Sequence, residues 1–473
     1  MRNIKNFIFL LAVGFTFVNA APALAQPTQV LSAGLGRGIN FGQMLEAPYE
    51  GAWGLSVEER FFDGVKQAGF DHIRLPVSWT YHTSETAPFT IDPVFFDRID
   101  WCVEQAVSRG IKIIVNVHHY DELNADPVAE QPRFLAIWNQ IAQRYSNQPD
   151  DAVYFELLNE PHNAFNDNPD LWNQLMPEAL SVIRMTNPTR KVIVGPIQWN
   201  HYSQLDQFEL PDDPNLIATI HFYDPFPFTH QGAAWIDPVL PLGVEFAPHR
   251  FNRQPGWQDW SWSTDQRSTA FGIWVEYQSP YAGFSSHNDN GFADAQRLIF
   301  SADKELDLIL HIKDENGVEG TTFITTEDRF RNYSIPIAPL GVTGKITDIT
   351  LQNNGNADAP RWNCRNMILV SNSGVWEYVL QKENRAINTA FDIAVTWANE
   401  NQIPLYLGEY GAFEMADNRS REVWTKTVRV AAQIRNIDWA YWEYAGVFGI
   451  FDPVAGEFRT SLIQAMVPQF RDR

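Results

Sequence analysis

Eight short apolar runs, most of them followed by an amphipathic stretch, constrain this chain more than any other feature. They occupy residues 36–42, 72–77, 112–118, 153–158, 191–196, 217–222, 404–408 and 439–442. The runs are rich in Val and Ile and apolar throughout rather than alternating, as strands covered on both faces are. The stretches between them, such as 57–69, 95–110 and 132–145, carry apolar residues at helical spacing, and several stop at Gly or before a turn. Strand and helix alternating eight times predict an α/β fold, the closed parallel (β/α)8 barrel.

One interval breaks the rhythm. Across 253–372 the helical period disappears, and Gly, Asn, Thr and alternating apolar residues replace it. Leu306-Asp-Leu-Ile-Leu-His-Ile-Lys313 runs into Asp314-Glu-Asn-Gly317, a hairpin-type turn. Repeated short-strand patterns predict a β-sandwich of the jelly-roll kind inserted between strand six and helix six, with the barrel built from 26–252 and 373–473. Residues 1–25 read as a signal peptide: Arg2 and Lys5 lead an apolar stretch over 7–18, and Ala23-Leu24-Ala25 offers small residues for cleavage. That stretch is short for a membrane span of about 20 residues. The expectation is an exported chain, secreted or periplasmic, with no membrane span after cleavage.

A net charge of -22 argues against nucleic acid, whose phosphates such a surface repels, and suits an uncharged partner. The two cysteines, Cys102 and Cys364, fall in different predicted domains, and Cys102 lies in a helical stretch, so a buried thiol is expected rather than a bridge. Neither an HExxH motif nor a Cys/His spacing suited to zinc occurs, and no phosphate-cradling glycine loop or Gly-x-Ser-x-Gly elbow is found.

Two glutamates carry the chemistry. Glu160 closes Val153-Tyr-Phe-Glu-Leu-Leu-Asn-Glu160-Pro161, and Glu409 closes Ile403-Pro-Leu-Tyr-Leu-Gly-Glu409. A parallel barrel delivers the C-terminal ends of its strands into one bowl, so positions far apart in sequence meet there. Two carboxyl groups facing one another, one protonated and one ionised, are what the hydrolysis of a glycosidic bond requires.

Asn159-Glu160-Pro161 after the fourth run and Gly408-Glu409-Tyr410-Gly411 after the seventh resemble the catalytic motifs of glycoside hydrolase family 5. The likeness covers most of 34–252 and 374–467. It implies that Glu160 is the acid/base, with a raised pKa, and Glu409 the nucleophile, with a lowered one. Arg74 matches the family arginine beside the nucleophile, Asn159 the group that grips the sugar 2-hydroxyl, and His221 and Tyr223 the pair beside the two acids. His118 and the platform tryptophan Trp442 match sugar contacts, while Trp79, Tyr120, Trp199, Trp235, His230 and Gln231 are further candidates for the cleft. The resemblance implies a cellulase cutting internal β-1,4 bonds, with mannan, xyloglucan and β-1,3-glucan cleavage as alternatives, and a binding protein without catalysis as the rival of another class. The hydrolysis requires no cofactor, and no ligand pattern supports a structural calcium in the insert. The expected partner is a polysaccharide, a β-glucan, and the expected state a monomer. The insert, through Asp259-Trp-Ser-Trp262 and Tyr281-Ala-Gly-Phe284, resembles carbohydrate-binding modules, and is expected either to hold polymer or to shape one side of the cleft.

Overall fold

The computed structural model describes residues 28–471 apart from 248–250, 255, 270–271 and 373–375; the proposed signal peptide, 1–25, lies outside the described residues. Eight parallel strands close a barrel: Arg37–Asn40, His72–Leu75, Lys112–Asn116, Val153–Glu156, Val192–Val194, Leu216–His221, Leu405–Glu409 and Asp438–Tyr441. Each falls within or beside one of the eight apolar runs, and the (β/α)8 expectation is met. Ile39, Ile73, Ile113 and Val153 stand in register across four neighbouring strands and are fully buried, packing outward under the helices. Helix Glu59–Ala68 illustrates the outer layer. Phe61, Phe62, Val65 and Ala68 line its buried face, and Gly69, at φ 83°, ends it in the left-handed conformation that a side chain would resist.

Inside the barrel the inward positions form layers. The lower one is Ile114, Tyr154, Ile193, Ile217, Tyr406 and Ala440. His72 sits with it, its Nε2 paired to the Tyr406 hydroxyl (2.9 Å) and Nδ1 to the Leu35 carbonyl (3.1 Å). Burial holds this imidazole down, to about 3. One step up each strand the layer turns polar, with Asn40, Arg74, Asn116 and Glu156 all buried. That layer is the floor of the site.

Between strand six and the helix Glu383–Glu400 the chain leaves the barrel and builds two five-stranded sheets and a three-stranded one. They pack around a second core that includes Phe284, Leu298, Phe300, Leu310, Leu351 and Leu369. Phe251–Arg253 pairs antiparallel with Trp376–Lys382, so the inserted strands extend beyond 253–372 on both sides. Lys382 leads straight into the helix at Glu383, without the turn residues that would have marked a boundary in sequence. Cys102 and Cys364 are both free and buried, which pushes each thiol up to about 12. No helix among the described residues is long and apolar enough to cross a membrane.

Candidate active site

Arg74 organises the barrel mouth. Projecting inward from strand two and fully buried, it must be paired. Its Nε and Nη2 each donate to one oxygen of Glu156, both at 2.6 Å. Nη1 donates to Glu409 Oε1 (2.6 Å) and to Asn40 Oδ1 (2.9 Å), and Nη2 also reaches Asn159 Oδ1 (2.7 Å). The planar fork thus ties strands one, two, four and seven together through charge-assisted bonds.

Glu409 takes a second donor, the Tyr223 hydroxyl, on Oε2 (2.8 Å). It reaches this place through a bulge: Leu407 pairs with Ile220 and Glu409 with His221, leaving Gly408 as the extra residue. A Cβ at Gly408 would lie 2.8 Å from both His221 Nε2 and Thr219 Oγ1, so glycine leaves the room that the histidine ring needs. Glu160, just past the end of strand four, has φ 44°, a left-handed turn unusual for a side-chain-bearing residue. Its Oε1 lies 2.6 Å from His221 Nδ1, which is also 3.6 Å from Glu409 Oε2. Asn200 Nδ2 donates to His221 Nε2 (3.3 Å), which leaves the ring proton on Nδ1 facing Glu160. A carboxylate oxygen of each acid and a ring nitrogen of His221 gather within 4.8 Å of one another. That spacing would also suit a metal ion; here His221 bonds to Glu160, and Glu409 bonds to Arg74 and Tyr223.

Burial pushes Glu160 up to about 7. Burial raises Glu409 too, so the lowered value expected of it does not hold; His221, Arg74 and the Tyr223 hydroxyl pull it back toward the ionised form. The two acids differ in partners rather than in burial: one is gripped by a guanidinium and a phenol, the other meets an imidazole and the Asn159 amide. Burial holds His221 down to about 4, a neutral ring at neutral pH. Behind Glu409 lie two more buried acids that the sequence reading missed, Glu46, pushed up to about 7 by burial, and Glu443, well above the usual range.

Of the remaining candidates, His118 is buried and lies parallel to Trp442, ring centroids 5.6 Å apart and planes 7° apart, with Asn116 Nδ2 on its Nδ1. Trp199 is half-exposed and stacks on His162 (5.2 Å, 16°) beside Glu160, and Trp235 stands exposed at the lip against Phe413. Two candidates do not belong to the cleft. Trp79 is fully buried, donates to the Asn116 carbonyl (2.8 Å) and packs against Phe95 and Phe96. Tyr120 is buried with its hydroxyl on Glu130 (2.7 Å). Both point between the barrel and its helices, where large rings fill the gap. His230 is buried under Phe226 and meets the Tyr223 ring edge-on, supporting that tyrosine from behind. Gln231 clips its own loop, accepting from Gly243 and Val244. Glu156 was legible in principle: a charged residue inside an apolar strand needs a buried partner, and Arg74 needed one too. Trp53, exposed over His119, and His162 stand in loops, where no periodicity announces them.

A (β/α)8 barrel that presents two partly desolvated glutamates across a shared histidine carries the pair of carboxyl groups that hydrolysis of a glycosidic bond requires. The family model Cellulase (glycosyl hydrolase family 5) matches residues 37–268, which carry the first six barrel strands and Glu160. Endoglucanase H of Acetivibrio thermocellus is 42% identical over 213 residues, 45% of this chain and 23% of that protein. Cellodextrinase A of Ruminococcus flavefaciens is 29% identical over 223 residues, 44% of this chain and 65% of that one. The chain thus spans less than two thirds of these curated relatives. A hyperthermophilic endo-β-1,4-glucanase solved with substrate superposes with a TM-score of 0.63 at 29% identity, over 93% of this chain and all of that one. Thermotoga maritima Cel5A, solved with mannotriose, gives 0.61 at 28% identity, over 91% and 97%.

Proposed function

We propose that the protein is an exported, endo-acting β-1,4-glucanase that works with retention of configuration. The observation that carries the mechanism is the gathering of Glu160, His221 and Glu409 atoms within 4.8 Å of one another. Retaining enzymes hold their carboxyl groups about 5–5.5 Å apart, whereas inverting ones leave about 6.5–9.5 Å for a water. Glu409, charged by Arg74 and oriented by Tyr223, attacks the anomeric carbon. Glu160, protonated because it is buried, gives its proton to the departing oxygen and then takes one from the water that releases the glycosyl-enzyme. His221 holds Glu160 through Nδ1 while remaining neutral. Trp442 offers a ring face to the C–H face of a pyranose, and Trp199 and Trp235 extend the cleft at its lip.

The endoglucanase relatives favour β-1,4-glucan as the substrate. Mannan is the second reading, favoured by the neighbour solved with mannotriose. A product profile on carboxymethylcellulose, mannan, xyloglucan, lichenan and laminarin tests both. A mixture of internal cleavage products from the first is expected; exclusive release of mono- or disaccharide from chain ends would overturn the endo reading. Glu160→Gln and Glu409→Gln should each lose orders of magnitude in turnover with polymer still bound. Azide should rescue Glu409→Gly on an activated aryl glycoside with an α-glycosyl azide as product, and Glu160→Ala with a β product. The opposite pairing would exchange the two roles.

A further inference from the structure

One inserted sheet turns a face away from its core that the barrel chemistry does not use. Its strands lie in the order Glu319–Thr325, Asp307–Asp314, Ile346–Asn353, Gly283–Phe292 and Gln258–Asp259. Leu308, Leu310, Ile312, Phe284, Ile349 and Leu351 point into the sandwich core, so the alternate residues face outward. Those residues form rows across the strands. In the first row Trp262, Gly283, Gln352, Ile309 and Phe323 stand in register; in the second, Ser285, Thr350, His311 and Thr321. Four strand spacings make the first row about 19 Å long.

Trp260 and Trp262, two residues apart on the edge segment, hydrogen-bond through their backbone N–H groups to Ser285 and Gly283 and lay their rings over this face. Trp260 stacks on His287 at 3.6 Å and 11°, and His287 is itself held between Asp348 (2.8 Å) and Asp289 (2.9 Å). Trp262 covers Gly283 so closely that a Cβ there would fall 2.4 Å from the indole, and its Nε1 donates to the Tyr281 carbonyl (3.0 Å). Even so the two tryptophans remain 52% and 44% exposed. Each ring therefore has one face fixed on the protein and the other open to solvent, a rigid platform whose ordering cost is met in folding rather than in binding.

We propose that this face is a second glycan site, binding a single neutral β-glucan chain laid across the strands. Trp260 and Trp262 form its stacking floor, and Gln352, held by the Tyr281 carbonyl and His311 with an amide N–H and a lone pair to spare, is its polar contact. The proposal rests on reading the barrel cleft as a β-glucan site. Flat rings beside hydroxyl and amide groups fit the alternation of C–H faces and equatorial hydroxyls on a pyranose chain. An apolar peptide helix would instead need a continuous groove. Most charged groups of the neighbouring row are engaged within the protein, His287 by Asp348 and Asp289 and Glu319 by the His311 ring, which suits an uncharged ligand. A polyanion is disfavoured by the net charge of -22.

Affinity electrophoresis of the full chain, inactivated by Glu409→Gln, through gels containing barley β-glucan tests the site. Adding Trp260→Ala and Trp262→Ala should weaken retention at least about tenfold. In the active chain the same pair should leave kcat/KM on an aryl cellobioside unchanged. Unchanged retention by the folded double variant overturns the proposal. So does a self-association, seen by sedimentation, that the double variant abolishes while retention persists, because the face then belongs to a second copy. Should the double variant fail to fold, Gln352→Ala decides: weakened retention supports the site, and native retention overturns it. Failure of the native chain to cut any β-glucan would sink the reading of the cleft, whereas the retention assay judges the sheet face separately.

Discussion

Arg74 has more carboxylates to satisfy than a single cation can neutralise. It binds Glu156 with two nitrogens and Glu409 with one, and its remaining contacts are to neutral amides. Glu156 therefore acts as a positioning residue: it fixes the plane of the guanidinium, and that plane fixes Glu409. Glu156→Gln turns one accepting oxygen into an amide N–H that faces a buried guanidinium N–H, and the expected cost is about 3 kcal/mol of stability by chemical denaturation. Turnover should fall by about tenfold or more, because Glu409 loses its orientation. Native turnover in a folded Glu156→Gln protein would assign the residue to stability alone. Glu160, the proposed acid/base, gives a separate prediction. With Glu160 pushed up to about 7, the profile of kcat/KM against pH should fall on its alkaline side near 7. The same shift is a stability statement. A carboxyl raised from 4.5 to about 7 keeps its proton in the folded state while the unfolded chain has lost it. Its contribution is thus fully present below about 4.5 and is lost as pH rises through about 7. Glu46, also raised to about 7, adds a second proton to that window. Glu160→Gln should accordingly flatten, but not abolish, the decline of melting temperature between pH 4.5 and 7, and an unchanged slope would show that Glu160 is ionised throughout.

At the scale of the element, the strand ends were legible because each carries residues that make sense only there. Arg74 lies within an apolar run and Asn159, Glu160, His221, Tyr223 and Glu409 at or just past the ends of others; Arg74, Asn159, Glu409 and Tyr223 form one hydrogen-bonded group, and Glu160 bonds to His221, 3.6 Å from Glu409. Trp79 and Tyr120 were misread for a physical reason. Position after a strand does not say whether a ring turns over the mouth or down between barrel and helix, and a chain with 17 tryptophans uses many simply to fill volume. Glu46 and Glu443 escaped because nothing local marks an acid as buried, and Trp53 and His162 because loops have no period. The bulge at Gly408 was invisible as well, since it appears only when strand seven is paired with strand six. It offers a sharp test. Gly408→Ala would press a methyl group against His221 and Thr219, at an expected cost of about 1–3 kcal/mol. The folded protein should lose kcat more than it raises KM, because the displaced histidine holds Glu160 rather than the distal sugars. Wild-type kcat would mean that His221 has room to move without consequence.

At the scale of the whole molecule, the insertion is the feature that separates this chain from a bare barrel. Its two ends are neighbours: Phe251 is the pairing partner of Lys382 in adjacent antiparallel strands. Backbones so paired lie about 4.5–5.5 Å apart, so a few residues can bridge them. The helix Glu383–Glu400 begins at once on the far side and packs on the barrel through Ile387, Phe391 and Ala394, while Phe246 on the near side belongs to the same core. Replacing residues 251–382 with a short Gly/Ser linker should therefore leave a barrel that folds. Cutting only 253–370 would leave half of a strand pair exposed and invite aggregation. The deletion asks what the insert does for catalysis. It springs from the loops after strand six, the strand that carries His221 and leads to Tyr223, so a role in bracing the cleft predicts that kcat/KM on a small aryl cellobioside falls with polymer activity. A role in holding polymer alone predicts that small-substrate turnover survives and only long or insoluble substrates suffer. Position on the active-site side of the barrel favours the bracing role, whereas the two open tryptophan faces favour the holding one. The roles act on different substrates and can coexist. A loss on polymer that exceeds the loss on aryl cellobioside is the expected result. Equal losses on both substrates would leave bracing as the insert's whole contribution, and no loss on either would deny it both roles.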